Sequence, residues 1–198
     1  MNEIKNIIQS CIRQEIEALK QLTKTIDETD VLFVKTIACC KGNIIITGIG
    51  KSYAVGRKIA GTLSSIGMPA ISVSTTDMLH GNIGMLQKDD ILLLISNSGE
   101  TKEIIELAEH LQSIGNYTIF SITGNSKSTL AKISQLTKEI KVQEAGPFSI
   151  IPTSSTTAVM AYGDALAVAL AHINGLSPEE FGQYHPGGRI GKKFNKIQ

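Results

Sequence analysis

At 198 residues and 21.3 kDa the chain is long enough for one domain with a sizeable core, and 42% hydrophobic residues with 18 glycines exclude a disordered protein. Nineteen basic against eighteen acidic residues leave a formal charge of +1, too weak a field to hold nucleic acid non-specifically. The longest apolar runs, such as Ile91 to Ile95, fall far short of the ~20 residues that cross a bilayer, and the acidic, periodic start MNEIKNIIQS does not read as a signal peptide.

Residues 3–22 are predicted helical, because Ile4, Ile7, Ile8, Cys11, Ile12, Ile16 and Leu19 recur three and four apart and form one apolar stripe. A second helix is expected from about Asp27 to Cys40. The period then changes: residues 43–47 form a short β-branched run that suits a strand buried on both faces. Residues 53–66 return to helical spacing, with Ser52 as the expected N-cap and Gly67 past the end. Residues 70–73 read as extended and 90–95 as a strong strand. A polar turn at 96–101 leads into a helix over 102–114. A strand at 117–122, a short helix at 126–134 and a weak strand at 139–142 follow. Residues 143–152 form a loop, 153–174 a long Ala-rich helix, and Ser177-Pro-Glu-Glu180 begins another. This alternation predicts an α/β domain with a central parallel sheet and helices on both faces, preceded by N-terminal helices. Cys11, Cys39 and Cys40 are odd in number and lack metal spacing, so reduced thiols in a cytoplasmic protein are expected.

Open α/β sheets bind ligands beyond the carboxyl ends of their strands, and three segments fall there: 48–52, 96–101 and 143–157. Ser96, Ser98 and Thr101 supply hydroxyls around Gly99, with Asn97 between them and a helix start behind: an anion cradle or, on the plainer view, a helix cap. The Gly48-Ile-Gly-Lys-Ser52 loop is no nucleotide motif. A Walker A loop needs glycine where Ile45 stands, and a dinucleotide fingerprint needs it where Tyr53 stands. It is a tight turn that delivers Lys51 and Ser52. Thr153 to Thr157 are five consecutive hydroxyl residues at a helix entry, more than a cap requires, which makes Thr153 and Ser154 candidate substrate contacts. Glu144 in its glycine-proline loop is a candidate base, Glu103 lies in a helix first turn, and His80 and His185 lie in glycine-containing loops. Two carboxylates, one lysine, two histidines and a hydroxyl cradle on one sheet edge suit acid/base chemistry on a small phosphorylated polyol, without metal or redox cofactor.

These blocks resemble a known family. ILLLISNSGETKE over 91–103 is similar to the phosphate loop of the sugar isomerase (SIS) domain superfamily. Together with Gly48-Ile-Gly-Lys-Ser52, His80-Gly-Asn-Ile-Gly-Met85, residues 152–157, residues 163–170 and His185-Pro-Gly-Gly188, it resembles the D-arabinose-5-phosphate isomerases from about residue 40 to 194. The resemblance implies a flavodoxin-like, three-layer α-β-α sandwich, one SIS domain over 1–198 with N-terminal helices at 1–40. It also implies interconversion of D-ribulose 5-phosphate with D-arabinose 5-phosphate through a cis-enediol, feeding Kdo synthesis for lipopolysaccharide or capsule. The family's catalytic lysine, two glutamates and histidine fall on Lys51, Glu103, Glu144 and His185, and its phosphate hydroxyls on Ser52, Ser96, Ser98 and Thr101. His80 is a further candidate, for ring opening. The chain is expected to be the short form without CBS modules, and a homotetramer whose sites borrow His80 or His185 from a neighbour. It departs from the family at Tyr53-Ala54, for Gly-His, and at Asn82, for Asp. The alternatives are an SIS isomerase for another sugar phosphate and a non-catalytic sugar-phosphate sensor.

Overall fold

The computed structural model describes residues 2–146 and 148–187 together with residues 189, 191 and 193. Pro147 of the predicted loop, Gly188 of the HPGG block and the ends of the expected 1–198 domain lie outside the described residues.

Five short strands form one parallel sheet: β1 (Ile44–Gly48), β2 (Ala70–Ser74), β3 (Ile91–Ser96), β4 (Thr118–Thr123) and β5 (Leu136–Glu139), in the order β2-β1-β3-β4-β5. Side chains alternate between the faces with the strand's period of two. Ile44, Ile46, Leu93, Ile95, Phe120 and Ile122 pack on one side against α2 (Glu28–Ala38), α3 (Lys51–Ser65) and α7 (Ser154–Ile173), and the end of α1 (Asn2–Lys24) joins them through Leu22. Ile45, Leu92, Leu94 and Ile119 pack on the other side against α4 (Thr75–Leu79), α5 (Lys102–Ile114) and α6 (Thr129–Ile133). Both faces of β1 and β3 are therefore buried, which is why those runs are continuously apolar. The result is the expected three-layer α-β-α sandwich. α8 (Pro178–Gln183) follows α7 and carries a Ser177/Glu180 capping box.

α7 has the length and apolar character of a membrane span, but its Ala158, Tyr162, Leu166 and Leu170 are buried against the sheet layer. Asp30 is buried yet fully occupied. It accepts from Lys138 Nζ at 2.9 Å, the Tyr162 hydroxyl at 2.7 Å and the Asp27 N–H at 2.8 Å, tying α2, β5 and α7 together. Burial and this carboxylate push the Tyr162 phenol far above its ordinary value.

Two local expectations are corrected. Ser52 is not the N-cap of α3: Gly50 is, with φ 58 and no side-chain hydrogen bond, so the helix starts two residues early and the Ser52 hydroxyl is left for the cleft. The last strand is 136–139 rather than 139–142, because Phe120 to Thr123 pair with Leu136 to Glu139. Its Lys138 is interior, buried beside Asp30. The chain between β2 and β3 also holds α4 and a 3-10 turn (Asn82–Met85), too short to leave a periodic signal. The stripe of α1 is only partly used: Ala18 and Leu22 are buried, whereas Ile4, Ile7, Ile8, Ile12 and Ile16 are 46–66% exposed.

Candidate active site

The chain leaves β1 toward β2 on one side and returns to β3 on the other. The carboxyl ends of β1 and β3 therefore flank a topological switch point, where open sheets of this kind leave a crevice. Gly48 makes the first wall possible. A Cβ there would stand 3.0 Å from the Ser52 and Tyr53 backbone and 3.1 Å from the Ile95 carbonyl oxygen. Gly50 then turns the chain so that Lys51, exposed, opens α3. No side chain caps this helix start, where the Ser52 N–H donates to the Ile49 carbonyl at 3.1 Å, and the positive end of the helix dipole favours an anion.

The serine loop is the second wall, and it is internally built. Buried Ser96 places its hydroxyl 3.0 Å from that of Thr101 and accepts the Gly99 N–H at 3.2 Å. Ser98 Oγ accepts the Glu100 N–H at 3.1 Å. Gly99 has φ +66, and a Cβ would fall 2.1 Å from Ser128 Oγ, so only glycine lets the loop lie on the start of α6. There Leu130 N–H donates to the Gly99 carbonyl at 3.1 Å and Thr129 N–H to Glu100 Oε1 at 2.9 Å. The Thr129 N–H also holds the Glu100 carboxyl below its ordinary value. Thr101 begins α5 without a side-chain cap, which leaves first-turn N–H groups beside exposed Asn97 and Ser98. Of the predicted phosphate hydroxyls, Ser96 shapes the loop, whereas Ser98 stands at its surface.

A cleft between these walls and α7 is lined by Ser52, Asn97, Thr123, Ser155 and Thr156 over an apolar floor that includes Ile95 and Val159. Glu144 adjoins this cleft through Ser155 and itself lines a polar cavity toward α1. Its carboxylate accepts the Thr153 N–H at 2.9 Å, the Ser155 N–H at 3.1 Å, the Thr153 hydroxyl at 3.3 Å and the Ser155 hydroxyl. Partial burial pushes the carboxyl up, but the bonds from Ser155 and Thr153 outweigh it and hold Glu144 below the usual carboxylate range. Glu144 is therefore ionised at neutral pH and doubles as the N-terminal cap of α7. Thr153 contacts Glu144, as its place in the hydroxyl run allowed. Ser154 does not: its hydroxyl is buried and has no hydrogen-bond partner among the described residues. Ser155 and Thr156 are the cleft residues that sequence reasoning missed, since a run of five hydroxyls does not say which ones a helix turns inward.

The remaining candidates are spread out. Glu103 is exposed in the first turn of α5, and His80 is exposed where α4 ends, after the carboxyl end of β2. His185 is elsewhere. The preceding Tyr184 lays its ring about 3.0 Å from where a Cβ would stand on Gly67, just past the last turn of α3. Lys51 opens that 15-residue helix, so the two ends are about 22 Å apart. The chain around His185 thus lies toward the end of α3 opposite Lys51. His185 is nonetheless fixed: its ring stacks on Phe181 at 4.2 Å, and Nδ1–H donates to the Phe181 carbonyl at 2.8 Å. A carbonyl only accepts, so Nε2 is the nitrogen left to take a proton. Among the described residues no group of three or more His, Cys, Asp or Glu is arranged to hold a metal ion.

The SIS domain family matches residues 36–169. The arabinose 5-phosphate isomerase KpsF of Escherichia coli O6:H1 is 42% identical over 189 residues, 94% of this chain and 58% of that protein. Arabinose 5-phosphate isomerase KdsD of Pseudomonas aeruginosa is 41% identical over 187 residues, 94% of this chain and 57% of that protein. The chain thus spans under three-fifths of the length of these curated relatives. Among solved structures, an E. coli CFT073 protein in complex with arabinose 5-phosphate superposes with a TM-score of 0.89 at 35% identity, covering 93% of this chain and 98% of that one.

Proposed function

The chain belongs to the SIS domain family, and from that premise we propose that it is an aldose–ketose isomerase interconverting D-ribulose 5-phosphate and D-arabinose 5-phosphate. The supporting observation is the ionised Glu144, held by four hydrogen bonds at the edge of a cleft whose other walls are the Lys51 and Ser96–Thr101 loops. The similar proteins named as arabinose 5-phosphate isomerases, and the similar structure holding arabinose 5-phosphate, favour the pentose over a larger sugar. The sensor alternative has no use for a capped, ionised carboxylate beside the cradle.

On this reading the phosphate sits among the N–H groups that open α3 and α5, with Ser52, Ser98 and Thr101. The reaction moves a proton between C1 and C2 and returns protons to O1 and O2. A cis-enediol allows one base to serve both carbons from one face. Glu144 and His185 share these transfers, one at carbon and one at oxygen, with Glu103 in either role. Lys51 places positive charge where the enediolate develops. His185 comes from a second copy, because its own chain holds it at the far end of α3. The exposed isoleucines of α1 offer apolar surface for that assembly, a homotetramer on this proposal. The product would supply Kdo synthesis in the cytoplasm, and turnover would survive EDTA. Aldose phosphates of five, six and seven carbons, each assayed for ketose formed, test the proposal. Selective turnover of the pentose is expected; turnover of a hexose instead transfers the chain to another SIS isomerase, and none at all leaves a sensor.

A further inference from the structure

α1 lies outside the residues that match the family, yet one of its side chains reaches the Glu144 loop. Gln14 Oε1 accepts the Gly146 N–H at 3.1 Å, across 132 positions of sequence. Among the described residues this is the one hydrogen bond that ties α1 to the α/β unit; its other side-chain bonds, such as Gln14 Nε2 to Ser10 Oγ at 3.3 Å, stay within the helix. Gln14 is placed for the task. It stands four and eight residues before Ala18 and Leu22, on the stripe whose burial seats α1.

The loop needs such a restraint. Ala145 N–H donates to Thr153 Oγ1 at 2.9 Å and Gln143 Nε2 to Ser149 Oγ at 3.1 Å, both within residues 143–153, and Glu144 reaches α7 through Ser155. Phe148, Ile150 and Ile151 are 75%, 73% and 58% exposed and bring no core packing. On the α1 side a polar cavity separates loop from helix, lined by Gln14, Glu17, Gln21, Gln143 and Glu144. Buried Ala145 and the bonds of Glu144 to Thr153 and to Ser155 of α7 anchor the inner end of the loop, so the Gln14 bond restrains the outer stretch that begins at Gly146.

We propose that Gln14 is a positioning residue of the active site: by holding the Gly146 N–H it steadies the loop that carries Glu144. The activity half of this proposal rests on the isomerase reading; the structural half does not. Gln14→Leu keeps the size and removes the acceptor, whereas Gln14→Glu restores one. Backbone hydrogen exchange over residues 143–151 of the whole chain is expected to quicken about 10-fold in Gln14→Leu and to stay near wild type in Gln14→Glu. Turnover of ribulose 5-phosphate is expected to lose about 5-fold in kcat with KM nearly unchanged in Gln14→Leu, and to recover in Gln14→Glu. Unchanged exchange in Gln14→Leu overturns the proposal whatever the activity. Faster exchange with unchanged kcat overturns it too, because the loop's position then does not serve turnover. If the wild type turns over no pentose phosphate, the isomerase reading fails, and the exchange arm alone decides whether Gln14 holds the loop.

Discussion

Ser155 donates its hydroxyl hydrogen to the Glu144 carboxylate, eleven positions before it, and its N–H adds a second bond at 3.1 Å. One carboxylate thus both caps α7 and adjoins the cleft through Ser155, so its chemistry and the fold's stability are coupled. Glu144→Gln removes the charge from the α7 dipole and the base from the site. Replacing a charge-assisted cap costs on the order of 1 kcal/mol, read by urea unfolding. On the isomerase reading kcat falls by roughly 10² to 10⁴ with little change in KM. The pH dependence carries a sign. The folded carboxyl sits below its ordinary value, so its stabilisation is present above the unfolded value and lost as pH falls through the folded one. Acid unfolding below about pH 4 should be steeper in the wild type than in Glu144→Gln. Equal slopes would remove this role for Glu144.

Thr101 separates binding from chemistry. Its hydroxyl lies 3.0 Å from that of Ser96 and beside the opening turn of α5. A phosphate contact acts alike on ground state and transition state. Thr101→Val should therefore raise KM by roughly 10-fold and leave kcat within about twofold. A fall in kcat alone would place Thr101 in the chemistry instead.

Much of this was legible in the sequence because each element carries its own pattern. Buried parallel strands are continuous apolar runs, as in Ile91 to Ile95, and α5 and α7 begin and end within a residue of their expected bounds. The two glycine turns were legible because Gly48, Gly50 and Gly99 sit where backbone crowding or positive φ requires glycine. What sequence does not show is pairing at a distance. Lys138 in β5 is buried beside Asp30 of α2. Nothing local separates Ser155, which bonds Glu144, from Ser154, whose hydroxyl is buried without a partner among the described residues. Nor can it show that His185, in a block as recognisable as any, is held at the far end of α3.

The Asp30 network predicts an asymmetry. Asp30→Asn leaves Lys138, 5% exposed, without its counter-charge, and should cost about 3–5 kcal/mol in urea unfolding. Lys138→Met in the same background removes the stranded ammonium and should recover much of that loss. Additive losses in the double variant would show that the pair is not coupled.

A shared site predicts complementation. Lys51→Ala and His185→Asn chains should each be inactive alone. Co-assembled, they should regain activity, with about a quarter of the two-copy sites carrying both wild-type groups if chains mix at random. No recovery from mixtures shown by light scattering to contain both chains would place Lys51 and His185 in sites that do not meet.

The isomerase account is tested most directly by proton NMR of D-arabinose 5-phosphate incubated with the purified chain in D2O. An enediol formed at this sheet edge exposes the abstracted proton to solvent. The account predicts growth of D-ribulose 5-phosphate signals with loss of the C2–H resonance to deuterium, both slowed at least about 10²-fold in Glu144→Gln or His185→Asn. A spectrum that keeps its C2–H resonance and shows no ketose, from protein of native circular dichroism and assembly, would contradict it.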